Sequence, residues 1–194
     1  PLDYMEKVQS VAKKNGLHIH LDGARLFNAA TFLKVEAKEI TQYVDSVMFC
    51  LSKGLAAPVG SMLCGSKECI RKARRGRKMF GGGMRQVGVL GAPGIIALEK
   101  MTKRLQEDHD NALYLAKELD KIIGFEVDKD HLDINMVFVK STCNFKELEQ
   151  YLKPIGIIIG GYKGEYLRLA IHNDISKEDI IELLENITQF TKEN

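Results

Sequence analysis

Two stretches of sequence decide the fold. Residues 17–25 read LHIHLDGAR, and residues 46–54 read SVMFCLSKG. Each opens with a short apolar run that predicts a β-strand, over residues 17–21 and 46–49, and each ends in polar and small residues. A helix is predicted between them, over residues 35–43. Strand, helix and strand at this spacing form a β-α-β unit, whose strands lie parallel because the helix crosses over the sheet.

Polar clusters follow both predicted strands: Asp22 with Arg25, and Ser52 with Lys53. In open α/β sheets, ligands bind in the crevice beyond the carboxyl ends of the strands, so both clusters are expected to face one crevice. A partly buried lysine between small residues suits Schiff-base chemistry, and an aspartate in the same crevice would keep a pyridinium nitrogen protonated. The alternative is that Asp22 and Arg25 form a surface pair and that Lys53 is solvated. The spacing alone does not decide between the two.

The remaining periodic segments divide the chain into two parts. Apolar periodicity in the first part predicts further helices and a third strand, over residues 2–14, 67–78 and 87–123 for the helices and 61–64 for the strand. Beyond Gly124 it predicts four strands and two helices, over residues 125–127, 135–139, 156–159 and 166–171 for the strands and 144–152 and 176–190 for the helices. Ser176-Lys-Glu-Asp179 is a helix start signal. We therefore predict an α/β fold, with the end of a domain built on a mostly parallel sheet over residues 1–102 and a smaller α+β domain over residues 103–194.

The composition excludes several classes of protein. The 194 residues have a net charge of +2, with 45% hydrophobic and 28% charged residues, which gives no electrostatic drive toward nucleic acid or a membrane surface. The sequence has no run of about 18 apolar residues that would predict a membrane span. Cysteines without CxxC spacing indicate reduced thiols in an intracellular protein rather than a disulfide framework or a zinc site. These cysteines are Cys50, Cys64, Cys69 and Cys143.

Four segments resemble sequence blocks of the threonine aldolase family, in the family's order and spacing. They read HLDGARLFN (residues 20–28), SKGL with PVGS (52–55 and 58–61), KMFGGGMRQ (78–86) and RLQEDHDNA (104–112). The resemblance covers the chain from its first helix to near its end. It implies the C-terminal part of an enzyme with the aspartate aminotransferase-like fold type I of pyridoxal-phosphate enzymes. Residues 1–102 would then be the C-terminal part of the large cofactor-binding domain, and residues 103–194 would form the small domain.

The resemblance implies roles for five residues. Lys53 is similar to the lysine that bonds to the cofactor, pyridoxal 5'-phosphate, and together with Asp22 it is implied to be catalytic. Asp22 matches the aspartate paired with the pyridine nitrogen, and Arg25 matches the arginine near the phenolic oxygen. Arg85 matches an arginine that reaches the cofactor phosphate of a neighbouring subunit. Arg168 matches the arginine that binds the substrate carboxylate through a two-pronged contact.

The implied activity is that of a lyase in threonine catabolism and glycine biosynthesis, which cleaves L-threonine or L-allo-threonine to glycine and acetaldehyde. The resemblance also implies a cytoplasmic homotetramer or homodimer with a small amino-acid substrate, and no metal, nucleic-acid or membrane partner. Three alternatives stay open. They are a β-eliminating lyase, an aldolase for another 3-hydroxy amino acid, and a truncated non-catalytic remnant that acts only by association.

Two further expectations concern the surroundings of these residues. The family's histidines near the substrate hydroxyl and its Gly-Thr phosphate-binding segment would lie upstream of Pro1. We therefore expect the isolated chain of 194 residues to be inactive. His18 and His20 are expected to face opposite sides of the first strand, with one of them packed and neither binding a metal.

Overall fold

The computed structural model describes residues 1–162 and 165–193. It divides into two compact units, Pro1–Leu105 and Gln106–Asn194, and each unit contains its own three-stranded sheet. The division falls close to the boundary expected after residue 102. The assignment of the units to a large and a small domain stays a prediction. Within the described residues, no helix is both long and apolar enough to cross a membrane.

The first unit contains the predicted helices and strands and one additional helix. Its elements are helix α1 (Leu2–Lys14), strand β1 (His20–Asp22), helices α2 (Leu26–Leu33) and α3 (Ala37–Thr41), strands β2 (Ser46–Cys50) and β3 (Ser61–Gly65), helices α4 (Lys67–Met79) and α5 (Gly88–Glu99), and a 3-10 helix (Met101–Arg104). The prediction of a helix over residues 2–14 is confirmed. Helix α2 was not predicted, because its sequence LFNAATFL is apolar on most sides and shows no helical period.

The first sheet has the strand order β1-β2-β3. Strands β1 and β2 are parallel, with Asp22 opposite Met48, which confirms the predicted β-α-β unit. Strand β3 is antiparallel to β2, with Cys50 opposite Ser61. A parallel third strand would need a crossover of a dozen or more residues, and the short segment between β2 and β3 has no helix. The expected mostly parallel sheet is thus, in the described residues, one parallel and one antiparallel pairing.

Alternating burial along β2 creates the core of the first unit. Val47 and Phe49 are buried, while their neighbours in the strand are half-buried. Phe49 meets the ring of Phe27 from α2 edge-on, with the ring centroids 5.3 Å apart. Ile40 of α3 completes this layer. Helices α2 and α3, which form the connection between the parallel strands β1 and β2, therefore pack on the sheet.

The second unit is a separate α+β layer. Its elements are helix α6 (Leu105–Leu119), whose first residue, Leu105, still belongs to the first unit, strands β4 (Phe125–Val127) and β5 (Met136–Ser141), helix α7 (Phe145–Leu152), strand β6 (Tyr166–Ala170), helix α8 (Lys177–Glu193), and two 3-10 helices (Lys129–His131 and Lys153–Ile155). The sheet is antiparallel throughout, in the order β4-β5-β6. Val137, Leu148, Leu152 and Ile187 lie in its core and are at most 1% exposed.

Two predictions for the second half of the chain differ from the structure. Residues 156–159 are not a strand; they follow the last 3-10 helix as irregular backbone. The helical region predicted over residues 87–123 is interrupted after Glu99, where α5 ends and the 3-10 helix begins.

The predicted start of the last helix is confirmed. Ser176 donates to Asp179 Oδ2 through its N–H and its hydroxyl, both at 2.7 Å, and Asp179 N–H donates to Ser176 Oγ at 3.1 Å. The hydroxyl first and the N–H second hold the pKa of Asp179 below its ordinary value of 3.8. Both residues therefore satisfy backbone groups at the start of α8 that would otherwise have no partner.

Candidate active site

The turn after β1 begins at Asp22. The Gly23 N–H donates to the Met48 carbonyl oxygen at 2.9 Å, and the Cys50 N–H donates to the Ala24 carbonyl oxygen at 3.3 Å. A Cβ atom at position 23 would lie 2.9 Å from that same oxygen of Met48, so only glycine allows this approach. The Ala24 N–H donates to Asp22 Oδ1 at 3.2 Å. The turn is thus held against β2, and the exposed carboxylate is oriented by its own backbone.

Lys53 lies in the loop of residues 51–60, between β2 and β3. The Leu51 N–H donates to the Gly60 carbonyl oxygen at 2.9 Å, which closes the loop, and the Ala56 N–H donates to the Lys53 carbonyl oxygen at 2.9 Å. Leu51 is buried, whereas the side chain of Lys53 is exposed. The partial burial expected for Lys53 is therefore not observed. A lysine that bonds to a cofactor must be reachable from the crevice, and this exposure meets that requirement.

Asp22, Arg25 and Lys53 lie at or after the carboxyl ends of two neighbouring parallel strands, at the same edge of the sheet. Asp22 ends β1, Arg25 immediately precedes α2, and Lys53 comes shortly after the end of β2. Arg25 is half-buried, unlike the other two. The chain order of the strands is what brings a carboxylate, a guanidinium and an amine to one edge. Their catalytic and cofactor-binding roles stay predictions.

Two parts of the expectation for the two histidines are wrong, namely that they face opposite sides of the strand and that one of them is packed. Strand β1 begins only at His20, so His18 precedes the strand, and both residues are exposed. Residues two apart in a strand project to the same side, so opposite sides should not have been expected. His20 shares a side of β1 with Asp22, and its Nδ1 lies 2.9 Å from Ser46 Oγ. An imidazole therefore stands beside the candidate site on the same strand face.

Arg85 belongs to the first unit and lies exposed in the turn between α4 and α5. The following residue, Gln86, has φ 50°, a left-handed conformation that is uncommon outside glycine. This bend directs the chain into α5. The contact of Arg85 with the cofactor of a neighbouring subunit stays a prediction.

Arg168 belongs to the second unit. It projects from the exposed side of β6, between the buried residues Leu167 and Leu169. It lines a cavity of about 590 Å³ together with His172 and the glycine-containing segment 156–161. A larger cavity of about 730 Å³, between α6 and α8, contains none of the predicted site residues. Volume alone therefore does not identify the site, and the role of Arg168 stays a prediction.

One residue beside the site was not singled out from the sequence. Asn28 of α2 is 2% exposed, and its side-chain amide lies against Gly54, which directly follows Lys53. The available signal was an amide within the largely apolar run LFNAATFL. From the sequence alone, such an asparagine could equally lie on the exposed surface of the helix, and only the burial of α2 shows that it does not.

Comparison of this chain with known proteins identifies the family that it matches. The model described as Beta-eliminating lyase matches residues 1–142. The protein named Low specificity L-threonine aldolase of Escherichia coli (strain K12) is 44% identical over 184 residues, which cover 94% of this chain and 54% of that protein. The chain thus spans about half the length of the curated relatives it matches. That this half is the C-terminal one stays a prediction.

Solved structures confirm the predicted fold class. A Listeria monocytogenes EGD-E protein described as a candidate L-allo-threonine aldolase has a TM-score of 0.82 at 21% identity, covering 97% of this chain and 56% of that one. A PLP-dependent aminotransferase from Streptococcus suis 89-1591 has a TM-score of 0.72 at 17% identity, covering 98% of this chain and 53% of that one. Identities at this level show a shared fold alone. The match of the Beta-eliminating lyase model covers residues 1–142, more than half of the chain, and it establishes that the chain belongs to this family.

Proposed function

We propose that the protein containing this chain is a pyridoxal 5'-phosphate-dependent aldolase that cleaves L-threonine and L-allo-threonine to glycine and acetaldehyde. The observation that carries the proposal is the placement of Asp22, Arg25 and Lys53 after two adjacent parallel strands. The 44% identity to the Escherichia coli relative supports the reaction. A cytoplasmic homotetramer or homodimer is part of the same proposal.

The chemistry of the donor set fits pyridoxal 5'-phosphate. Lys53 would bond to the aldehyde carbon through its amine, Asp22 would pair with the ring nitrogen, and Arg25 would face the phenolic oxygen. Arg85 would reach the phosphate in the site of a neighbouring subunit. When bound, the cofactor supplies an electron sink for the charge left on Cα after the Cα–Cβ bond breaks.

The side chains of this chain orient the substrate and hold protons. The Asp22 carboxylate, oriented by the Ala24 N–H at 3.2 Å, would keep a proton on the ring nitrogen. Arg168 would bind the substrate carboxylate through two parallel hydrogen bonds and so set the direction of the bond to be broken. When it is not bonded to the cofactor, the exposed amine of Lys53 would be available to accept or return a proton at Cα of the substrate.

Borohydride reduction of the cofactor-loaded protein, followed by peptide mapping, tests the assignment of Lys53. We expect the cofactor to be fixed on Lys53. Lys53→Arg should abolish both the adduct and turnover, because a guanidinium keeps the charge but stays protonated and is not a nucleophile. Lys67→Arg, at the exposed first residue of α4, is the matched control and should keep both. An adduct on another lysine of the unchanged protein would contradict the assignment.

A β-eliminating lyase is the second candidate, because the family model carries that description. Serine separates the two reactions: aldol cleavage gives glycine and formaldehyde, whereas β-elimination followed by hydrolysis gives pyruvate and ammonia. We expect glycine as the amino-acid product from threonine, allo-threonine and phenylserine. Pyruvate as the main product from serine would favour the β-eliminating lyase. A cofactor-loaded protein that turns over none of these substrates would support the non-catalytic alternative.

A further inference from the structure

Helix α2 carries a buried amide beside the candidate site. Asn28 is 2% exposed and lies between the buried residues Leu26 and Ala30 along the helix. Burial of an amide costs free energy unless the group makes polar contacts. An apolar side chain would fill this position in the core at lower cost. The asparagine therefore indicates a specific contact rather than general packing.

The amide of Asn28 packs closely against Gly54, the residue directly after Lys53. A Cβ atom built on Gly54 would lie 2.8 Å from Asn28 Oδ1, 3.4 Å from Asn28 Nδ2 and 3.1 Å from Leu105 Cδ2. Gly54 is buried, and its φ is not positive, so backbone strain does not explain the glycine. The amide of Asn28 and the leucine occupy the space that a side chain at this position would need.

The contact bears on Lys53 through the backbone. The side chain of Lys53 is exposed, whereas Gly54 and Leu55 are buried and anchor the loop. The Lys53 carbonyl oxygen also accepts the Ala56 N–H at 2.9 Å. A lysine stem has four flexible carbons, so the fold can set only where the stem begins. The position of Gly54 against Asn28 determines that starting point.

The same helix also carries the other part of the candidate site. Helix α2 begins directly after Arg25 and reaches Asn28 within its first turn. The turn that precedes it, from Asp22, is hydrogen-bonded to β2. One side-chain contact therefore connects the segment after β1 to the loop after β2.

We propose that Asn28 is a positioning residue for Lys53. Its amide packs against Gly54 and thereby fixes the position of the Lys53 backbone relative to Asp22 and Arg25. This inference rests on the proposed function, because it requires Lys53 to carry the cofactor. In this arrangement Asn28 would act on Lys53 through Gly54 and would not itself bind the cofactor or the substrate.

Variants of the cofactor-loaded protein test the contact. Gly54→Ala places a methyl group against the amide, Asn28→Ala opens the space without adding atoms, and the double variant combines the two changes. Gly76→Ala is a matched control, since a Cβ there has nothing within 4 Å. Asn186→Ala is the other, because Asn186 is a half-buried asparagine of α8 whose amide donates to the Glu182 carbonyl oxygen of its own helix. The readouts are the fraction of cofactor that borohydride fixes on Lys53, the pH midpoint of the visible absorbance band, kcat, KM, and the urea midpoint.

Gly54→Ala should lower kcat by about 100-fold, as a displacement of about 1 Å does in an active site. It should also shift the pH midpoint of the visible band, with little change in KM. Asn28→Ala alone should shift the same pH midpoint. Adding Asn28→Ala to Gly54→Ala should restore part of the lost kcat, because the added methyl group then has room. Both controls should keep the kcat and the pH midpoint of the unchanged protein.

The positioning role is overturned if the double variant is no better than Gly54→Ala, or if the variants change the urea midpoint but leave kcat and the pH midpoint unchanged. If Gly54→Ala does not fold, Asn28→Ala decides by itself, and an unchanged pH midpoint overturns the proposal. Failure of the proposed function is distinguishable from both results. In that case borohydride would fix the cofactor on a different lysine, or on none, in the unchanged protein.

Discussion

Replacement of Asp22 by asparagine separates the structural role of this residue from its proposed chemical role. The Asp22 Oδ1 atom accepts the Ala24 N–H at 3.2 Å, and the side chain is exposed. Asparagine keeps an oxygen acceptor at this place, so the free energy of unfolding should change by less than about 0.5 kcal/mol. Alanine removes the acceptor and should cost about 1 kcal/mol.

The effect on catalysis should be much larger than the effect on stability. An amide does not hold a proton on a ring nitrogen as a carboxylate does, so the charge that develops in the reaction loses its partner. Removal of one preorganised electrostatic partner typically costs about 100- to 1000-fold in kcat. We expect a loss of this size for both Asp22→Asn and Asp22→Ala, although only the second should lower stability.

Acetaldehyde release from L-threonine and urea unfolding of the same preparations measure the two effects. Asp45→Asn is the matched control, because Asp45 Oδ2 accepts the Ile19 N–H at 2.8 Å near the other end of the same parallel strand pair. That bond, more than the nearby His18, holds the pKa of Asp45 below 3.8. Asp45→Asn should alter acid stability and leave kcat unchanged. A near-native kcat for Asp22→Asn would make Asp22 a turn residue and refute the electron-sink reasoning.

Arg168→Lys should raise the KM for L-threonine by about tenfold or more, because one ammonium cannot make a two-pronged contact with a carboxylate; an unchanged KM in steady-state kinetics would remove Arg168 from the site. The lowered pKa of Asp179 means that its contribution to stability is present above pH 3.8 and is lost as the pH falls through the lowered pKa. In a plot of the urea midpoint against pH, Asp179→Asn should therefore lose less stability at acid pH than the unchanged protein does. The same pH dependence in the two proteins would contradict this. Leu148→Ala should reduce the free energy of unfolding by about 2–5 kcal/mol, since Leu148 is 0% exposed, and a near-zero loss in urea unfolding would mean that the site collapses around the alanine.

Elements with strong local signals could be predicted from the sequence. Helix α1 has the predicted bounds, because its apolar residues recur at helical spacing and Asn15 follows its last turn. Helix α8 begins at Ser176 and Asp179, whose hydrogen bonds need no partner from elsewhere in the chain. The parallel arrangement of β1 and β2 follows from the intervening helices. In each of these cases the residues that determine the structure are neighbours in sequence.

The errors arise where contacts distant in sequence decide the structure. Residues 157–159 are three isoleucines, which are apolar and β-branched as in a strand. Ile159 is 5% exposed through packing in the core, while Ile158 is 83% exposed. An irregular segment that packs against the core without pairing to a strand therefore has the same apolar, β-branched sequence as a strand. The direction of β3 depended on the path of the loop 51–60, which composition does not reveal.

The candidate site shows the same division between local and distant information. Strand order alone predicted that Asp22, Arg25 and Lys53 would share an edge, and the structure has them in the segments after β1 and β2. The exposure of Lys53 and the burial of Asn28 could not be predicted, because both depend on how α2 packs on the loop 51–60.

Both proposed catalytic side chains directly precede a buried glycine. Gly23 follows Asp22 and lies where a Cβ atom would be 2.9 Å from the Met48 carbonyl oxygen, and Gly54 follows Lys53 and lies where a Cβ atom would be 2.8 Å from Asn28 Oδ1. In each case the absence of a side chain lets the backbone rest on the neighbouring element. The residue before it is then anchored at its backbone and exposed at its functional end. This arrangement gives a reactive group access to ligands while its starting position stays set by the core, which is what alignment of a cofactor and its substrate requires.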